Sequence, residues 1–421
     1  MMKKPLLCIK PKFLTIDKRL DSADEFIAEW HRLFGKRVYN MPHLSTRSLH
    51  TTVGVRLRKS LVTYDKNFID CRDSTLGMQT SGTGKEPTIV FTRKMVSYFP
   101  DVRIEQTVRR KNITSAGATG TISDSKFVRG DLQDYLFIAC AEADSLFNAR
   151  IDSFGNDLIT DLCVSQDPTG IISKKLAGGS IPEYHSESSL FLMTTIPPAV
   201  NARWITKGLF QRFSVVVKKI SAEVCQDTAN KIIDNLNVIK QDENVDADME
   251  ILMSTMSAMP VPENFEIPYT MKPLLKKKVG LLVGKIREWT PKIPRKDLRD
   301  SLNSFIIRNT LNMIKYACHH AFLDCRNFVT AEDVEYAYPI ADECWTDVLR
   351  LFEMQPSQVR RGANKAILEL MNDFKKRTLS EIHRDLHEEF THDNIKVTSQ
   401  NLYKNGELDR VERGVYQRKR K

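Results

Sequence analysis

The sequence predicts an α/β domain with a helical lid, followed by a small unit of three helices and a β-ribbon. Three observations lead there. Between residues 60 and 220, short apolar β-type runs alternate with polar or helical stretches. Residues 220–350 carry mostly helical periodicity, interrupted by a Pro- and Met-rich connector from Met256 to Pro273. From about residue 357 the pattern changes again, to short amphipathic helices and a turn-linked pair of strands. A chain of 421 residues suits two or three domains. The expected divisions are a helical lead-in at 1–60, an α/β core at 61–220, a lid at 221–356 and a C-terminal unit at 357–421.

In the lead-in, Asp21 to Phe34 reads as a helix with Asp21 or Ser22 as cap. The core offers four strand runs: Ile89–Phe91, Tyr135–Cys140, Ser189–Met193 and Phe213–Val217. A further strand is expected around Asp73–Met78. In the C-terminal unit, Ala366, Ile367, Leu370 and Met371 mark a first helix, and Leu379, Ile382 and Leu386 a second, entered from Thr378. Val397–Tyr403 marks a third, with Asp393 and Asn394 as caps. Gly406 to Arg418 then reads as two strands turning at Arg413–Gly414. Three helices and a β-wing make a winged helix-turn-helix, a module that binds DNA or other proteins.

A net charge of +10 favours a polyanionic partner, nucleic acid before membrane. No apolar run approaches the ~20 residues of a membrane span, and Met1–Lys12 lacks the apolar core of a signal peptide. A cytoplasmic protein with no membrane partner is expected. The eight cysteines include no Cys-x-x-Cys pair, which argues against a zinc ribbon or a disulfide scaffold. Cys318-His319-His320 and Cys325 look like a metal cluster, but Met313, Ile314, Ala317, Ala321 and Phe322 give the stretch a helical period, so a packed helix is expected.

Two segments suggest nucleotide chemistry. Ser81-Gly82-Thr83-Gly84-Lys85-Glu86 is a glycine-rich turn ending in lysine, able to set backbone N–H groups and an ammonium against a phosphate chain. It departs from the full phosphate-loop motif, with Gln79 where the motif has Gly and Glu86 where it has Ser or Thr. Tyr135 to Glu142 is an apolar strand ending in an acid. That is the layout in which carboxylates hold magnesium and prepare water.

The order of segments resembles the MCM replicative helicases, ring ATPases of the AAA+ class with a P-loop NTPase core. After the phosphate loop, Asn112–Ile122 resembles the start of the family's helix-2 insertion, and Phe127–Tyr135 the lead into the acid-ended strand. Gly170–Glu183 is similar to the pre-sensor-1 hairpin and Ser189–Pro197 to the sensor-1 strand. Leu209-Phe-Gln-Arg212-Phe213 resembles the arginine-finger sequence, and Arg308–Val334 the lid helices with the sensor-2 arginine. The similarity spans residues 65–350. The family's N-terminal barrel and zinc module have no counterpart in a lead-in of about 60 residues, a compact form that would suit a virus or mobile element.

The resemblance implies a hexameric, ATP-driven DNA helicase for replication, acting with a replication initiator or primase on single-stranded or duplex DNA. ATP would sit between subunits on Ser81–Glu86, with Glu142, Arg212 and Arg308 catalytic and both arginines supplied by the neighbour. Lys174 and Lys175 would contact DNA from the hairpin, and Arg418, Lys419 and Arg420 from the C-terminal unit. Glu86, Ala141 and Ile196 depart from the family's hydroxyl, acid and asparagine. One reading is a swap, in which the carboxylate lost at Ala141 returns on Glu86 to hold Mg2+. The alternative is a catalytically degenerate DNA-binding ring acting as loader, adaptor or transcriptional regulator.

Overall fold

The computed structural model describes residues 20, 22–38, 41–64, 67–80, 85–123, 126–143, 146, 158–167, 169–176, 179–197, 204, 208–234, 242–293, 296–354, 363–386, 392–412 and 414–419. They belong to two compact units, residues 1–355 and 356–421. Helix α1 (Ala23–Arg37) begins where Ser22 Oγ accepts the Glu25 N–H at 3.2 Å, with acids in its first turn and Lys36 and Arg37 in its last. Its buried residues, Ala23, Phe26, Ile27, Trp30, Leu33 and Phe34, recur at helical spacing. Helix α2 (Pro42–Arg56) follows, and Gly54 lets it sit against the chain entering the sheet: a Cβ there would lie 2.3 Å from the Asp73 amide nitrogen.

The first unit continues through β1 (Leu61–Tyr64), β2 (Asn67–Asp70), β3 (Thr75–Gln79), α3 (Lys85–Ser97), β4 (Thr107–Arg110), α4 (Ser115–Thr119), β5 (Gly120–Ser123), β6 (Lys126–Arg129), α5 (Asp131–Asp134) and β7 (Phe137–Cys140). Then come α6 (Leu158–Ser165), β8 (Ile172–Leu176), β9 (Gly179–Tyr184), β10 (Ser189–Thr194), α7 (Leu209–Arg212), β11 (Ser214–Lys218), α8 (Ala222–Asp234), α9 (Asp242–Ala258) and β12 (Asn264–Phe265). It ends in α10 (Lys272–Trp289), α11 (Lys296–Ser301), α12 (Asn303–Leu323) and α13 (Ala331–Glu353).

Five strands form an all-parallel sheet in the order β11-β3-β10-β7-β4. Every residue of β3, β7 and β10 is buried, as a parallel sheet covered on both faces requires. Alternation along each strand divides the side chains between two cores. Phe137, Ala139, Phe191, Met193 and Val216 join α1, α2 and α3, whereas Ile138, Cys140, Leu190, Leu192, Val215 and Val217 join α6, α10 and the C-terminal half of α13. Both sheet edges meet charged side chains from helices. Asp347, buried in α13, accepts the Val217 N–H at 2.9 Å, and Arg93 of α3 donates to the Thr107 carbonyl at 3.2 Å.

Ile89–Phe91, read above as a strand, lies inside α3. Thr88, Ile89, Phe91, Thr92, Met95 and Val96 are buried at helical spacing, and Phe91 packs edge-on against Trp30 and Phe34 of α1 at 5.5 and 5.1 Å. A short apolar run does not by itself distinguish strand from helix, and the face that α1 covers decides it. The other runs form β7, β10 and β11. Cys318, His319 and His320 are buried in α12, and His319 bonds the Cys71 carbonyl at 2.7 Å. No described helix is long and apolar enough to cross a membrane.

The second unit holds α14 (Ala363–Leu370), β13 (Arg377–Thr378), α15 (Leu379–Leu386), α16 (His392–Lys404), β14 (Leu408–Glu412) and β15 (Val415–Arg418), with strand order β13-β15-β14. Ala366, Ile367, Met371, Ile382, Leu386, Ile395, Leu402, Leu408 and Tyr416 form its core. Thr378 and Glu381 cap α15 reciprocally, and Gly414 turns the ribbon at φ +80°. Asp393 and Asn394 do not cap α16, because the helix already begins at His392 and takes them into its first turn.

A buried polar cluster joins α12, α13 and α1. Asp333, fully buried, accepts from Arg326 (2.6 and 2.8 Å), His320 Nδ1 (2.6 Å) and Thr330 N (2.7 Å), while Asp324 accepts the Ala23 N–H at 2.6 Å. Burial pushes the Asp333 carboxyl up, but these donors outweigh it and hold the group at about 2. Burial likewise lowers His320, but Asp333 outweighs it and raises the imidazole above its ordinary value. The carboxylate therefore contributes stability that is complete above its ordinary value of 3.8 and lost as pH falls toward 2, about 2–3 kcal/mol in all. The imidazolium's share is complete below 6.5 and lost as pH rises through its raised value. Asp333→Ala should cost about 3–5 kcal/mol in urea unfolding at neutral pH. It should also flatten the loss of stability between pH 4 and pH 2; an acid limb as steep as wild type would show the stabilisation resides elsewhere.

Candidate functional site

The parallel strands bring their carboxyl ends to one edge, and β3 lies between β10 and β11, where the direction of winding reverses. Ligands of open α/β sheets bind outside the strand ends at such a reversal. The chain leaves β3 at Gln79 and enters α3 at Lys85; Ser81, Gly82, Thr83 and Gly84 lie outside the described residues. Lys85 and Glu86 occupy the first turn of α3, the end at which the helix dipole favours an anion. His43 of α2 faces Gln79, with Nε2 3.5 Å from Oε1. Burial pulls its imidazole down to about 4, so it is neutral at pH 7. Thr80 Oγ1 accepts the Ile220 N–H at 3.2 Å and ties the exit of β3 to that of β11.

Two positions along the same edge, β7 ends at Cys140. The Ala143 N–H donates to the Met193 carbonyl at 2.8 Å, closing the turn and leaving Glu142 exposed at the strand exit. The Glu86 carboxylate is ion-paired with Arg109 of β4, and Arg110 makes a two-pronged bond to Asp131 at 2.5 and 2.8 Å. Ile196 follows β10 and packs against the core.

Arg212 and Arg308 are brought together by a residue that sequence reasoning missed. Asp167, just after α6, accepts from Arg212 Nη2 at 2.7 Å and Nε at 3.2 Å, and its other oxygen lies 3.5 Å from Arg308 Nη1. No local pattern marks Asp167; its partners are far away in the chain. The pair sits at the amino edge of the sheet, because Ser214, two residues beyond Arg212, is registered with Thr75 at the start of β3. Lys85 belongs to the opposite edge, about 16 Å away along five strand residues. Within one chain these arginines and Lys85 therefore face different sides of the sheet.

The ribbon β8–β9 pairs Lys174 with Ile181 and Lys175 with Ser180, with Leu176 and Gly179 flanking its tip. The side chains of Lys174 and Lys175 lie outside the described ones. Beside it runs the ribbon β5–β6, whose base closes on Gly120 and Gly130: a Cβ on Gly130 would lie 2.2 Å from the Gly120 nitrogen. In the second unit Arg418 is engaged internally, donating to the Leu368 carbonyl at 2.7 Å and to Asn372 at 2.6 Å. Lys419 is exposed, and Arg420 lies outside the described residues.

The all-parallel strand order and the helices around it are compatible with a P-loop-like core. No protein-family model matches the chain, and no curated protein matches it. Gly208 offers a check on the turn that sets Arg212 in place. It precedes α7 at φ +83°, and a Cβ there would lie 2.2 Å from Arg212 Nη1. Gly208→Ala should destabilise by about 1–3 kcal/mol, whereas Gly35→Ala, with open space around it in α1, should be neutral or stabilising. Thermal unfolding of the two variants measures the difference; equal midpoints would show that the left-handed backbone at Gly208 carries no cost.

Proposed function

We propose that the chain is an ATP-driven DNA translocase or helicase that works as a ring of identical subunits, as its resemblance to MCM helicases implies. The observation behind this reading is the separation of Lys85 from Arg212 and Arg308 across the sheet. A site that needs a phosphate-binding lysine and a charge-stabilising arginine is incomplete in one copy and complete where the amino edge of one copy meets the carboxyl edge of the next.

In this reading the phosphates of ATP lie at the first turn of α3, with Lys85 on the β and γ oxygens. Glu142, exposed at the end of β7, orients and deprotonates the attacking water. Arg212 and Arg308 of the neighbour exchange Asp167 for the transferring phosphoryl, so hydrolysis alters a contact between subunits. Magnesium fits the donor set, since Glu86 and Glu142 offer hard carboxylate oxygens and Glu86 already holds a cation, Arg109. When bound, the ion would neutralise phosphate charge. The ribbons β8–β9 and β5–β6 would follow the DNA backbone through sequence-independent contacts. The second unit has the parts of a winged helix, with Lys396, Gln400 and Lys404 along the exposed side of α16.

A second reading has its own observation. Ala141 supplies no acid and Glu86 is paired with arginine, as in a ring that binds nucleotide without turning it over. ATP hydrolysis with and without single-stranded DNA separates the two: DNA-stimulated turnover, lost in Lys85→Ala, is expected of the motor, and binding without turnover of the degenerate ring. Mixing Arg212→Ala with Lys85→Ala subunits should recover part of the activity neither has alone, through the mixed interfaces that carry both groups. Co-assembled mixtures as inactive as either variant would rule out the shared site. For the metal, Glu86→Ala should raise the magnesium needed for half-maximal hydrolysis at least several-fold. Glu86→Ser with Ala141→Asp should restore it, and Glu86→Ser alone should not. An unchanged titration in Glu86→Ala would leave Glu86 simply as the partner of Arg109.

A further inference from the structure

Helix α10 sorts its basic residues by face. On the inner face Lys278 reaches Glu335 at 2.7 Å and Lys285 reaches Asp342 at 2.5 Å, both acids of α13. On the outer face Lys272, Lys276, Lys277 and Arg287 are exposed, and among the described residues none is paired with an acid. Lys272, Lys276, Gly280, Gly284 and Arg287 follow one another at intervals of four, four, four and three, a single stripe on the helix.

The middle of that stripe is bare backbone. Gly280 and Gly284 are exposed, and a Cβ on either would meet nothing within 4 Å. Glycine at an exposed helical position is less favourable than alanine, so the fold gains nothing from either residue. What they allow is close approach from outside. Aromatic rings stand at both ends. Tyr269 is 78% exposed with the Lys272 ammonium 4.4 Å from its centroid, and Trp289 has that of Lys292 at 4.9 Å.

A ridge about 27 Å long, cationic except for Glu288, which pairs with Lys292 at 3.0 Å, smooth at its centre and flanked by rings, matches a strand whose phosphates are anionic and whose bases can stack. It suits a membrane poorly, because Tyr269 and the half-exposed Leu281 are the only large apolar side chains that this segment exposes, and an inserting helix needs a continuous apolar face. We propose that the outer face of α10, from Tyr269 to Lys292, is a binding surface for single-stranded nucleic acid, separate from the β8–β9 ribbon. It uses no residue of the nucleotide site and does not rest on the motor reading.

The test is binding of a fluorescein-labelled single-stranded oligonucleotide to the full chain, without nucleotide, across a salt series. Lys272→Glu/Lys276→Glu/Lys277→Glu is compared with Lys36→Glu/Lys59→Glu/Arg103→Glu, which changes net charge equally at exposed positions elsewhere. The first triple should weaken binding about tenfold or more near 0.1 M salt and reduce the slope of log affinity against log salt by about 2, from three contacts at ~0.7 each. The control should change both only slightly. Gly280→Leu/Gly284→Leu, with all charges intact, should also weaken binding several-fold, at a thermal midpoint no lower than wild type. Equal losses in the two triples would reduce the effect to net charge and overturn the proposal. So would unaltered oligonucleotide binding by the first triple, including the case where it has lost binding to phosphatidylserine vesicles.

Discussion

Five parallel strands with apolar side chains on both faces cannot stand in water, and the remainder of the first unit can be understood as the means of covering them. Residues of opposite parity feed opposite cores, so Phe191 and Leu192, adjacent in sequence, belong to different packing clusters. The segment before the sheet is part of this cover. Helices α1 and α2 contribute Trp30, Phe34, Leu49 and Val53 to the core on one face, while α12 and α13 contribute to both. Removing the leading sixty residues would uncover one side of the sheet.

The same requirement places the chemistry. Every parallel connection crosses a face, so strand exits gather at one edge and entries at the other, and residues after β3 and β7 are held apart from those before β11. Helix α13 links the exits to the polar cluster at α1. Near its start Asp333 anchors the cluster that holds the first turn of α1, and farther along Glu343 lies 3.1 Å from Lys218 at the strand exits and 3.2 Å from the fully buried Arg47. A shift of α13 would therefore be felt at the exit of β11, next to Gln79.

Much of the sheet was legible in the sequence, because β7, β10 and β11 are continuous apolar runs too short for helices. Ile89–Phe91 has the same local character, and only the presence of α1 above it makes its buried face helical; periodicity within three residues holds no such information. The candidate site was legible in part. Lys85, Glu142, Arg212 and Arg308 were singled out by the order of motifs, whereas Asp167, which unites the arginines, is 45 residues from Arg212 with no signal of its own. Arg109 was hidden for a related reason: its role toward Glu86 exists only because β4 and the start of α3 are neighbours in space.

The two sheet edges have a consequence for how copies of this chain can meet. An open strand edge invites another strand, and continuous sheets that run from molecule to molecule begin there. Here the outward N–H of Val217 is already taken by a carboxylate, and the outer strand at the other side has its Thr107 carbonyl taken by a guanidinium. Each blocking group is fixed to a helix packed on the sheet, and Asp347 is held there by Lys218 at 3.7 Å and Arg350 at 3.4 Å as well, so an arriving strand would have to displace a charge that is already engaged. Assembly by β-addition is thus closed at these positions, and so is the route to fibrous aggregation that starts from it. At these two edges, contacts between copies are left to the helices packed there, which can separate and re-form without breaking a shared sheet.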